Sequence, residues 1–136
     1  MMKYLFFIGI LFSSCQQAPE HKATKTECEK FKKGKFLYKS NAYPTVYRIE
    51  RNDTVQKEII GKNGDFINFN INWTAPCTYE LTFLDQHISG SDSVSESDKK
   101  TMKVQVEILE IRNDTCFVMT GSGDRSLPGI VYIDKK

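Results

Sequence analysis

Histidine is scarce in this chain: its 136 residues hold only 2, His21 and His87. That removes most schemes in which an imidazole serves as base or metal ligand. Charge of one sign is also lacking. The 19 basic residues face 17 acidic ones, a formal net charge of +2, so no electrostatic footprint for nucleic acid exists. The apolar run Tyr4–Phe12 is about half of the roughly 20 residues that a membrane-spanning helix needs. No repeat of solenoid length occurs. The motifs G-x-S-x-G, H-E-x-x-H and G-x-x-x-x-G-K-[ST] are absent, and Gly121-Ser122-Gly123-Asp124 lacks the strand-to-helix context of a phosphate loop. The 4 cysteines stand alone, without C-x₂-C spacing, which argues against zinc. Neither an enzyme nor a cofactor is expected.

What is present at the N-terminus is an address. Lys3 supplies a positive start, Tyr4–Phe12 an apolar stretch, and Ser13-Ser14 a small-residue site, the layout of a cleaved export signal over residues 1–14. Leu11-Phe12-Ser13-Ser14-Cys15 resembles the lipobox of bacterial lipoproteins. The resemblance implies a diacylglyceryl group on the Cys15 thiol and cleavage just before it. Phe12 stands where Leu is commonest, a looser lipobox of the Bacteroidota kind. Several acyl chains on one cysteine, at about 0.8 kcal/mol per buried CH₂, hold a protein durably on a membrane. The alternative is an ordinary secretory signal with a chance cysteine. Residues 15–27 are polar, contain Pro19 and show no apolar period, so they read as a flexible tether. Gln16 follows the cysteine where an enterobacterial retention signal would carry Asp. The expected location is the cell envelope, lipid-anchored to the cell membrane or outer membrane.

Residues 28–136 read as one antiparallel all-β domain. Ile67, Phe69, Ile71 and Trp73 alternate with asparagines, and after Thr74-Ala75-Pro76 the pattern resumes with Cys77, Tyr79, Leu81 and Phe83. One face is buried and the other wet, as an antiparallel sheet allows. Arg51-Asn52-Asp53-Thr54 and Arg112-Asn113-Asp114-Thr115 each suggest a two-residue hairpin turn, since Asn and Asp tolerate positive φ. These turns join strands near 45–51 and 54–60, and near 102–112 and 115–120. Further strands fall at 35–40, with Phe36 and Tyr38 inward, and at 129–134, where both faces are apolar. Residues 85–98 form the longest loop, rich in Ser and acid. About eight strands in up-and-down order favour a small barrel or a strongly curled sheet, which removes free edges.

An exported chain meets an oxidising compartment, so two of Cys28, Cys77 and Cys116 are free to bond. Cys28 and Cys77 both lie near strand ends and are the favoured pair; Cys77–Cys116 and no bond at all are the alternatives. Trp73 ends a clean inward series and reads as a packing residue; a ligand-stacking platform is the competing reading. His87 falls in the long loop and reads as solvated. Asp92, Glu96 and Asp98 lack the spacing of a calcium loop. In the first hairpin neither face is cleanly apolar. Tyr47, Ile49 and Arg51 share one face with Gln56, Glu58 and Ile60. Either the hairpin projects from the core, the favoured reading, or Arg51, Gln56 and Glu58 point into a barrel and face a ligand.

The run Cys28-x-x-Phe31-x-x-Gly34-x-Phe36-x-Tyr38, with Ile49-x-Arg51, Gln56-x-Glu58 and Ile71-x-Trp73-x-x-x-Cys77-x-Tyr79-x-Leu81, resembles a family of small lipoproteins of Flavobacteria and their relatives. The resemblance implies a Bacteroidota origin and a calycin-like β-meander, and it carries over no catalytic residue. Asp53-Thr54-Val55, Asp92-Ser93-Val94 and Asp114-Thr115-Cys116 resemble the D-[S/T]-hydrophobic acceptor of Bacteroidota O-glycosylation, with Ser93 the best placed. The expectation is thus an envelope lipoprotein with a non-catalytic binding or structural role, or a carrier of a small apolar molecule. Its partners would be a membrane, other envelope proteins or a small ligand.

Overall fold

A computed structural model describes residues 21–42, 44–61, 63–90 and 95–136, except the side chains of Asp98 and Lys100. Eight strands follow one another around a closed barrel: β1 Gly34–Ser40, β2 Val46–Arg51, β3 Val55–Ile60, β4 Asp65–Ala75, β5 Thr78–His87, β6 Lys103–Arg112, β7 Thr115–Ser122 and β8 Arg125–Ile133. Every neighbouring pair is antiparallel. β1 closes the ring against β8, from Phe36 opposite Ile133 to Ser40 opposite Gly129. Two short helices are added, α1 Lys25–Glu29 and α2 Glu96–Thr101. The expected loop over 85–98 is thereby shortened at both ends, because β5 runs on to His87 and α2 starts at Glu96.

Alternation decides what the barrel encloses. Phe69, Ile71, Tyr79, Leu81 and Phe83 are buried, as the period of two requires. Val131 is 2% exposed, so its face of β8 is the inner one. The inner apolar residues of all eight strands are thus brought together without an exposed sheet edge.

The two Asn-Asp turns differ. Asn113 adopts φ 54° in a two-residue connection between Arg112 and Thr115, which pair directly. Around Asn52 the loop is longer, because Arg51 pairs with Gln56. Asn52 Oδ1 accepts from the backbone N–H of Thr54 at 3.0 Å and of Val55 at 2.8 Å, while Asn52 N donates to Val55 O at 3.0 Å. Here the side chain replaces a tight turn.

One end of the barrel is plugged. Thr24 caps α1, accepting from Glu27 N and donating its hydroxyl to the Glu27 carboxylate at 3.0 Å. Cys28 and Phe31, both 0% exposed, fill the end, and Phe31 stacks on Phe36 with ring centroids 5.6 Å apart. This corrects the expected tether over 15–27, whose C-terminal part is built onto the barrel. Leu109 is the extra residue of a bulge in β6, and its carbonyl accepts from Ala23 N at 3.0 Å.

Candidate functional site

The β2–β3 hairpin turns three polar side chains into the barrel: Arg51, Gln56 and Glu58. The long Asn52 loop sets Arg51 opposite Gln56 and Ile49 opposite Glu58, so Ile49, Arg51, Gln56 and Glu58 share the inner face. Arg51 is 6% exposed and Gln56 2%. The favoured expectation of a projecting hairpin is therefore corrected: the hairpin is part of the barrel wall and its mixed face turns inward. What makes this tolerable is that three Arg51 donors and both ends of the Gln56 amide find partners.

Arg51 uses three donors at the plugged end. Nε donates to Gln56 Oε1 at 2.7 Å, Nη1 to the Phe31 carbonyl at 2.7 Å, and Nη2 to the Tyr79 hydroxyl at 2.6 Å. Its guanidinium carbon also lies 5.2 Å from the Phe36 ring centroid and 4.6 Å from that of Tyr79, within cation–π range. A weakly hydrated, planar cation suits such a place. Gln56 then passes the polarity on, its Nε2 donating to Glu58 Oε1 at 2.9 Å. Burial pushes the Glu58 carboxyl above its ordinary range, against the opposing pull of the Gln56 hydrogen bond and the Arg51 charge. Burial likewise raises the Tyr79 phenol, with Arg51 again opposing.

Beside this network lies a cavity of about 200 Å³. Its walls are mainly apolar, with Ile49, Phe69, Leu81, Val106, Val118 and Val131 among them, and its polar positions are Glu58, Gln56, Tyr38, Tyr79 and Thr120. Arg51 is not in the lining. Tyr38, Val104 and Thr120 lie further along their strands from α1 than Phe36, Ile108 and Cys116. The cavity therefore runs from Gln56 and Tyr79, beside the plug, towards the opposite half of the barrel.

The other sequence-derived positions fall outside this cavity. Cys28 and Cys77 form a disulfide with Cα atoms 5.5 Å apart, tying α1 to the β4–β5 turn. Cys116 is free and buried, and burial pushes its thiol up to about 12. Trp73 is partly exposed at the plugged end. It packs at 4.7 Å on Tyr79, with Lys32 Nζ 5.3 Å from its ring. His87 ends β5, exposed, with its ring 5.9 Å from that of Phe66. Glu96 pairs with Lys99, and Asp92 lies outside the described residues. Cys15 and Ser93 also lie outside them. Thr54 sits exposed in the Asn52 loop.

Tyr79 as the third partner of Arg51, and the Phe31 carbonyl as the second, were not anticipated. Tyr79 was legible as inward-facing, and an inward Tyr signals a hydroxyl that needs a partner. The Thr24-x-x-Glu27 spacing is likewise a helix-start signature. Among the described residues no group of three His, Cys, Asp or Glu side chains is placed to hold a metal ion. No family model, curated protein or solved structure matches the chain.

Proposed function

We propose that this domain is a non-catalytic binding barrel of the bacterial envelope, held to its membrane by lipid on Cys15 and taking a small molecule into its interior. The observation that carries the binding part is the cavity itself: about 200 Å³ of apolar-walled space with the Glu58 carboxyl in its lining. Ligand pockets for drug-sized molecules run from about 300 Å³, whereas an apolar cavity of about 150 Å³ takes up benzene. The fitting ligand is correspondingly small. The lipobox at Leu11–Cys15 and the flavobacterial lipoprotein resemblance support the envelope part.

Two experiments test the two halves. In methyl NMR, saturating benzene or methylcyclohexane is expected to shift Ile49, Leu81, Val106 and Val118, and Val118→Phe, which fills the space, is expected to abolish this. An unresponsive interior in the wild type would refute the binding role. The full chain is expected to pellet with membranes in high salt, and Cys15→Ser to move the folded domain into the soluble fraction. A Cys15→Ser protein that still pellets would refute the anchor.

A further inference from the structure

Resting on that reading of the cavity, we infer that the ligand is a small primary amine: an ammonium on a compact apolar body, with Glu58 as the group that pairs with it. Scaled from the benzene-sized case, the body holds roughly six to nine non-hydrogen atoms.

The inference starts from Gln56. An arginine has donors only, so the Gln56 oxygen must face Arg51 and its NH₂ must face Glu58. Glu58 is therefore obliged to present an accepting oxygen to Gln56, as it does at 2.9 Å. That is the one hydrogen bond to the Glu58 carboxyl among the described residues. No side-chain N or O among them is both sealed from solvent and unpartnered. The remaining oxygen is therefore not sealed, and it belongs to a residue that lines the cavity.

Charge selects the ligand's polar end. Arg51 is engaged at the plugged end by three hydrogen bonds and two aromatic rings, and it does not line the cavity. Among the described residues, Glu58 is the one ionisable carboxyl in the lining. A partly buried carboxylate is favoured by a cation that also donates hydrogen bonds. An ammonium has three N–H groups and no acceptor. Tyr38 and Thr120, which also line the cavity, carry hydroxyls of the accepting kind an ammonium needs. A carboxylate ligand would be repelled, and a hydrocarbon would leave Glu58 with no partner beyond Gln56.

The test is a calorimetric and methyl-NMR titration of the full chain with four probes of one shape: cyclohexylamine, cyclohexanol, methylcyclohexane and cyclohexanecarboxylate. Cyclohexylamine is expected to bind about tenfold or more tighter than cyclohexanol, as a charge-assisted contact should. The carboxylate is expected not to bind. Glu58→Gln is expected to erase the preference for the amine while methylcyclohexane still binds, which shows the variant folded with its cavity intact. Equal affinity for amine and alcohol, or an amine preference surviving in Glu58→Gln, would overturn the inference while leaving the binding barrel standing. If methylcyclohexane and all other probes leave the interior methyls unmoved, the binding barrel fails as well.

Discussion

Arg51 and Glu58 both occupy the barrel interior, and Gln56 stands between them, accepting from the guanidinium at 2.7 Å and donating to the carboxyl at 2.9 Å. The two side chains form no direct ion pair. Their separation divides the interior: the cation is built into the plug, and the acid is left to the cavity. Consequences for stability and chemistry follow from that division.

Stability should fall with rising pH because of Glu58. Its carboxyl is pushed above the ordinary value of 4.5 by burial. Over the window between that value and the raised one, the folded protein binds a proton that the unfolded chain has released. The stabilising contribution is whole below the ordinary value and is lost as pH rises through the folded one. The groups set against Glu58 are Gln56 on β3, Arg51 on β2, and Tyr79 on β5, which is itself raised by burial and opposed by Arg51. Glu58→Gln, which mimics the protonated form, should melt higher than wild type near about pH 8, and the gap should close towards about pH 4. A gap that widens on acidification would contradict this.

Arg51→Met should be among the most damaging single changes. It strips the Phe31 carbonyl, Gln56 and the Tyr79 hydroxyl of their donor at once. Each buried polar group left without its partner costs about 1–3 kcal/mol. Arg51→Lys should recover only part, since an ammonium on a flexible stem cannot match the planar fork. Urea melts of both variants would measure the difference.

Removing the Cys28–Cys77 bond should loosen the plug. The two cysteines are 49 positions apart, a separation for which the chain-entropy relation gives up to about 4 kcal/mol. Cys28→Ser in a Cys77→Ser background should lower the melting temperature accordingly. Cys116 should resist alkylation until the protein unfolds, because its thiol is buried and raised to about 12. Rapid labelling of Cys116 under native conditions would contradict its burial.

Trp73 should act through packing at the plug. It rests on Tyr79 and under Lys32 and is only partly covered. Trp73→Ala should therefore cost about 2 kcal/mol, below the 3–5 typical of a fully buried aromatic. Trp73→Phe should cost less. Probe binding in the cavity should be unchanged in both, as Trp73 is absent from its lining. A selective loss of binding at unchanged stability would favour the stacking-platform role instead.

Much of the architecture was legible along the chain because it depends on neighbours in sequence. Alternation from Ile67 to Trp73 and from Cys77 to Phe83 reflects the pleat itself, so it announces strands and their inner faces without knowledge of the partner. The Asn113 turn was legible for the same reason: a residue that tolerates positive φ sits where a two-residue connection requires it. An expected oxidising compartment and two cysteines read as lying near strand ends were enough to favour Cys28–Cys77, although Cys28 stands in α1.

The identical Asn52-Asp53 pair forms a longer loop, because Asn52 spends its side chain on the backbone of Thr54 and Val55. Local chemistry permits both outcomes, and the pairing of Arg51 with Gln56 chooses between them. Whether Arg51 points in or out was a tertiary decision. Its partners lie 20 and 28 positions away, at Phe31 and Tyr79, and a charged group is buried only where such distant acceptors converge on it. The packing of Ala23 depends likewise on a carbonyl that only the bulge at Leu109 frees. Closure of β1 on β8 joins the two ends of the domain. That closure turns a mixed polar face, ambiguous as a sequence, into the wall of a cavity.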